Sequence, residues 1–85
     1  MKRPRSMDID FEVNAAYINY GEGEVAGTVD VWKDGQVAAD LDAEDQVLGI
    51  EVLGFDEETL KNARKFADAH DLAFPVNLRG VLVAA

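Results

Sequence analysis

The stretch Val37–Leu53, V-A-A-D-L-D-A-E-D-Q-V-L-G-I-E-V-L, decides the fold. In its first half Val37, Ala39 and Leu41 recur at every second position, and in its second half Leu48, Ile50 and Val52 do the same, with Glu51 turned the other way. A period of two is the mark of a half-buried strand, because successive side chains of extended backbone point to opposite faces. Between the two runs lies Asp42-Ala43-Glu44-Asp45, polar and without apolar rhythm. Two alternating runs around a short acidic break predict a β-hairpin, with strands over Gln36–Asp42 and Gln46–Leu53.

The pattern continues towards the N-terminus. Lys33-Asp34-Gly35-Gln36 places Asp-Gly between apolar runs, the residue pair that tolerates the positive φ angles of a type I′ turn. The strand entering that turn has Val25, Gly27, Val29 and Val31 as its inward set. Trp32 breaks the phase, which assigns it to the opposite face or to a bulge. Before the flexible Gly21-Glu22-Gly23-Glu24 turn, Ala16, Ile18 and Tyr20 point one way and Tyr17 and Asn19 the other. Met7, Ile9, Phe11 and Val13 alternate with Asp8, Asp10 and Glu12, so a first strand is expected over Met7–Val13, closed by a short turn at Asn14-Ala15.

At Phe55 the period changes. Asp56 is a good helix N-cap, Glu57 and Glu58 complement the positive end of the helix dipole, and Phe55 can staple onto Leu60. Leu60, Ala63, Phe66, Ala67 and His70 follow at helical spacing, while the pairs Glu57/Lys61 and Arg64/Asp68 fall on the outer side. One helix, about Glu57–Ala69, is expected to cover the sheet. Pro75 stops any continuation, and Val76, Leu78 and Val81–Val83 suggest a final extended segment.

Composition sets the bounds. A chain of 85 residues holds one domain with a modest core, burying roughly 60% of its unfolded surface. The apolar fraction of 48% argues for folding despite a net charge of −9. Without cysteine, disulfides and thiolate metal sites are excluded, which leaves oligomerisation as the usual supplement to a small core. No apolar secretory region and no run of eighteen apolar residues is present, so a cytoplasmic protein is expected. The segment Asp8–Glu58 holds every acidic residue except Asp68 and Asp71, against a single cation, Lys33. That balance opposes contact with nucleic acid or anionic membranes and favours basic partners. Residues 1–6, M-K-R-P-R-S, carry three cations and no periodicity; they read as a flexible basic arm before a single domain over 7–85.

Two segments resemble a family of small bacterial and phage domains of unknown function, whose pattern is a D-x-E-x-D-A-L-Y-I strand followed by a D-L-D-x-x-x-x-V-V-G-I-E-I-L hairpin. Asp10, Glu12, Asn14, Ala15, Ala16, Tyr17 and Ile18 match the first, with Asn14 for the usual Asp. Asp40, Leu41, Asp42 and Val47–Leu53 match the second. The resemblance covers residues 8–53 and departs in the turn, where Glu44-Asp45 replaces Asp-Gly. It implies a small β-rich domain, possible phage origin and no assigned activity.

The acidic residues admit several chemistries. Asp40, Asp42, Glu44 and Glu51 stand at positions one, three, five and twelve of a calcium loop, but the glycine demanded at position six is Asp45, and the flanks read as strands instead of helices. Paired carboxylates among Asp8, Asp10, Glu12, Asp40, Asp42 and Glu51 would serve acid–base catalysis only inside a desolvated cleft, which one sheet with one helix does not provide. His70, near the helix end, has no nucleophile beside it and reads as a capping or surface residue. The same carboxylates at regular spacing on a sheet could imitate a phosphate backbone, or simply keep strands soluble and apart. Tyr17, Tyr20 and Trp32 are candidates for an aromatic contact patch opposite the helix.

These readings combine into an α+β domain, an antiparallel β-meander of about five strands with one amphipathic helix on one face. The core expected is Met7, Ile9, Phe11, Val13, Ile18, Val29, Val31, Leu41, Leu48, Ile50 and Val52 against Leu60, Ala63, Phe66 and Ala67. No enzyme activity and no cofactor are expected. The function expected is that of an acidic interaction or regulatory module, homodimeric, with an unidentified protein partner; the alternatives are a calcium-binding module and a nucleic-acid mimic that inhibits a basic protein.

Overall fold

A computed structural model describes residues 1–75 of the chain. Five strands, β1 (Ser6–Asp10), β2 (Ala15–Asn19), β3 (Gly27–Trp32), β4 (Val37–Leu41) and β5 (Val47–Leu53), precede one helix, α1 (Glu57–Ala69). All neighbouring strands are antiparallel and α1 packs on one face, which makes the domain α+β. The strand order is β1-β2-β5-β4-β3. The chain therefore departs from a meander at one connection: β3, β4 and β5 follow one another by hairpins, but β2 lies beside β5, the Greek-key arrangement. The segment from Tyr20 to Ala26, rich in glycine and glutamate, makes the long return to the far edge.

The decisive hairpin forms as its alternation predicts. Val37 and Ala39 of β4 oppose Val52 and Ile50 of β5, and all four are fully buried. At its tip Asp42 accepts hydrogen bonds from the backbone N–H groups of Glu44 and Gln46, both at 2.9 Å, and Asp45 takes φ 62°. That left-handed position normally favours glycine, and a short polar side chain is the next best occupant. The β3–β4 turn has positive φ at both Asp34 (55°) and Gly35 (87°), as a type I′ turn requires.

The first strand is shorter than its alternation suggests. β1 ends at Asp10, whose carboxylate accepts the N–H of Glu12 at 2.9 Å and turns the chain, and Asn14 closes the turn at φ 53°. Phe11 and Val13, expected in the core, consequently sit in the turn, 48% and 68% exposed. Val29, on an outer strand, is also exposed. The core gains instead Tyr20, Val37, Val47 and Leu72. Residues 1–6 make two contacts with the rest of the domain: Lys2 forms a parallel bridge with Leu72, and Arg5 donates its backbone N–H to Asn19 and its guanidinium to Glu22. Ser6 already belongs to β1. The extended segment expected over Val76–Val83 lies outside the described residues.

The start of α1 is locked to the sheet by a chain of hydrogen bonds. Asp56, the N-cap, accepts the backbone N–H and the hydroxyl of Thr59 at 3.2 and 2.7 Å. The Thr59 hydroxyl in turn accepts from the Gln36 amide at 2.9 Å, and the Gln36 carbonyl accepts the N–H of Leu53. Thr59 is fully buried, so its hydroxyl has no water to fall back on. Thr59→Val keeps the volume and strands the Gln36 amide, a loss of about 1–3 kcal/mol. At about 4–8 °C per kcal/mol for a domain of this size, thermal unfolding of Thr59→Val is expected several degrees below wild type, with Thr59→Ser close to wild type.

Candidate functional site

Register and alternation sort the strands' side chains onto two faces. On the helix side, Met7 and Ile9 of β1 continue into Ala16 and Ile18, Val52 and Ile50, then Val37 and Ala39. On the other side no element packs among the described residues, and two rows cross the sheet. One row runs Asp8, Tyr17, Glu51, Ala38, Asp30; the next runs Ser6, Asn19, Gly49, Asp40, Thr28. Asp10 extends the acidic set beyond the first row, opposite Ala15 and Leu53. The open face thus presents Asp8, Asp10, Asp30, Asp40 and Glu51, and none of the strand positions on it is a lysine or arginine.

Its centre is a hydrogen-bonded band over four strands. Neighbouring strands lie about 4.8 Å apart, so β4 is about 10 Å from β2. Tyr17 spans that distance by lying across β5, and its hydroxyl donates to Oδ2 of Asp40 at 2.8 Å. Thr28 of β3 donates to Oδ1 of the same carboxylate at 2.6 Å. The crossing is possible because the β5 residue beneath it is Gly49: a Cβ there would collide with the Tyr17 hydroxyl and ring. Gly49 does not have a positive φ, so close approach, not backbone conformation, is what requires glycine here.

Burial, then the hydrogen bond to Asp40, then the negative charges of Asp40 and Glu51 push the Tyr17 phenol from 10.0 up to about 12. Tyr20 reaches about 12 by burial alone. At neutral pH both are neutral donors, to Asp40 and to the carbonyl oxygen of Ala73.

The aromatic patch expected of Tyr17, Tyr20 and Trp32 does not form. Tyr20 is fully enclosed on the helix side, and Trp32, paired with Val37 beyond a bulge, packs against the core beneath Lys33, whose ammonium lies 5.4 Å from the ring centre. Only Tyr17 reaches the open face. Of the acidic residues singled out, Asp8, Asp10, Asp40 and Glu51 share that face, while Glu12 and Asp42 belong to turns. Asp40, Asp42, Glu44 and Glu51 do not converge: among the described residues no three Asp, Glu, His or Cys side chains gather as metal ligands. Both oxygens of Asp40 are already bonded to hydroxyls, and one of Asp42 holds its own turn. Asp30, Thr28 and Gly49 were missed by the sequence reading. The available signal for Gly49 was a glycine in the middle of an apolar strand.

The matched family supplies the remaining comparison. Residues 6–55 match the family described as Protein of unknown function (DUF2283). The chain belongs to DUF2283. The matched span begins with β1 and ends one residue before the N-cap of α1, so what DUF2283 describes here is the sheet, including both rows of its open face. Neither the curated proteins nor the solved structures contain a match. Among the described residues no helix is long and apolar enough to cross a membrane.

Because the folded pKa of each tyrosine lies above its unfolded value, their contribution to stability is complete below pH 10 and is lost as pH rises towards about 12. Tyrosinate absorbance is therefore expected to rise in that window together with loss of the folded circular dichroism signal. Titration centred on pH 10 with the fold intact would contradict the buried, bonded phenols.

Proposed function

We propose that the protein is a small acidic interaction or regulatory module that acts by contact, without catalysis, and that the open face of the sheet is the surface presented to a basic protein partner. The observation that carries this reading is the segregation of charge: five carboxylates on one rigid face, with no cation among its strand positions. Such a face steers positively charged partners towards it and disfavours anionic ones. Asp8, Asp10, Asp30 and Glu51 are exposed. Water therefore solvates them, whereas a pair working as acid and base needs enclosure to separate its two pKa values. The band of Tyr17, Asp40 and Thr28 holds the middle of the face stiff, which limits the entropy lost on binding. A cytoplasmic setting and a phage origin fit the same reading.

Asp8 and Glu51 flank Tyr17 in one row and are exposed, so they can be neutralised without disturbing the band. The test compares wild type with Asp8→Asn/Glu51→Gln in recovery of partners from native cytosol. A basic protein retained by wild type and lost about tenfold by the variant, at unchanged thermal stability, is the expected result. Equal retention by both refutes the assignment of the face. Displacement of the protein from that partner by DNA would identify the occupied site as one that otherwise binds nucleic acid.

A further inference from the structure

Beyond the row of Asp8, Tyr17 and Glu51 the open face turns apolar. Strand register aligns Asp10, Ala15 and Leu53 there, and Leu53 lies on the side of Glu51 because it stands two residues further along β5. Leu53 is 43% exposed. The turn that leaves Asp10 adds Phe11 and Val13, also exposed, and it is fastened to the end of β5 by the bond from the Gly54 N–H to the Asn14 carbonyl at 2.8 Å. Phe11 follows Asp10 directly and Val13 precedes Ala15 by two residues, so three large exposed apolar side chains meet at one corner of the sheet. Connecting turns are ordinarily built from Gly, Pro, Asn, Asp and Ser. Exposed apolar residues grouped within a polar rim are the form that a contact site takes.

The rim states what the corner accepts. Residues 6–19 and 46–60 contain no cation. Asp10 shares the apolar row, Glu12 separates Phe11 from Val13, and Glu51 precedes Leu53 on the same side. Lys33, in the β3–β4 turn, lies instead over the Trp32 ring. A second copy, with a net charge of −9, would set its own carboxylates against these, and nucleic acid would set phosphates there. Charge complementarity therefore selects a segment that carries cations on either side of an apolar side chain.

We propose that the corner formed by Phe11, Val13 and Leu53, with Asp10, Glu12 and Glu51 around it, is the anchor site for a basic segment of a partner protein. An apolar side chain of that segment covers the corner while its flanking lysines or arginines meet the carboxylates. The proposal rests on the reading of the open face as the partner surface and adds the chemistry of what binds there.

Two short labelled peptides of alternating sequence, Lys-Leu and Lys-Ser, carry the same charge and differ in apolar content. Fluorescence anisotropy of each, titrated with the full chain, tests the proposal. Wild type is expected to bind the Lys-Leu peptide at least about tenfold more tightly, since one buried leucine side chain contributes that much, and added salt is expected to weaken both. Val13→Ser/Leu53→Ser, two changes at exposed positions, is expected to bring the Lys-Leu peptide down to the affinity of the Lys-Ser peptide, with Lys-Ser binding and the circular dichroism spectrum unchanged. Equal affinity of wild type for both peptides, or a Lys-Leu preference that survives in the serine variant, overturns the anchor and leaves the acidic face standing. If neither peptide binds, or Asp8→Asn/Glu51→Gln leaves Lys-Ser binding intact, the reading of the face falls together with the anchor. A wild-type dimer in sedimentation equilibrium that the serine variant abolishes assigns the corner to a second copy and also overturns the proposal.

Discussion

The passage of Tyr17 over Gly49 to Asp40 is the constraint on which the arrangement of the sheet rests. A tyrosine can reach a carboxylate two strands away only if the strand between them offers no side chain at the crossing point. β5 has such a point at Gly49. The hydrogen bond is to an ionised group, the stronger kind, and the surrounding burial keeps the phenol neutral. With β2 held beside β5, Ile18 meets Ile50 on the opposite side of the same pair, where both are fully enclosed. One contact on the open face and one in the core thus specify the same neighbour, and the chain takes a long return to β3 instead of continuing as a meander.

The two faces then divide the work. The helix face is closed by α1 over β3, β4 and β5 and by Tyr20 and Leu72 near the chain's return, where the N-terminal residues add a backbone bridge. Gln36 and Thr59 register the helix against the sheet end, so the one buried polar cluster of the helix start is satisfied without water. On the open face, by contrast, Asp40 is bonded to two side-chain hydroxyls, Asp10 and Asp30 each accept a backbone N–H of a neighbouring turn, and Asp8, Asp10, Asp30 and Glu51 are exposed to water. The apolar core lies on one side and the exposed carboxylates on the other, so Asp8, Asp10, Asp30 and Glu51 keep their contact with water.

Much of this was legible in the residues themselves. The hairpin at Val37–Leu53, the Asp-Gly turn, the inward set Ala16, Ile18 and Tyr20, and the helix with its Asp56 cap all follow from local periodicity and turn chemistry, which depend on near neighbours. The strand order did not, because nothing local in β2 says whether β3 or β5 lies beside it; that choice is made by the fit of Tyr17 to Gly49. Phe11 and Val13 misled because alternation persists through a turn that Asp10 starts with a side-chain hydrogen bond. The spacing of Tyr20 with Ala16 and Ile18 assigns it to the inward set, and the buried position is the one it takes, so it has no part in a surface patch. On the open face Asp8, Asp10, Asp40 and Glu51 were readable from alternation, while Asp30 and Thr28 joined them only through cross-strand register.

The cost of a methyl group at Gly49, measured with and without the tyrosine above it, tests the central claim most directly. In the wild-type background, Gly49→Ala must expel the Tyr17 ring and break its bond to Asp40, a destabilisation of about 1–3 kcal/mol in denaturant unfolding. In a Tyr17→Ala background the collision is gone, and alanine at an ordinary extended position should be neutral or slightly stabilising. Equal costs in the two backgrounds would contradict the account.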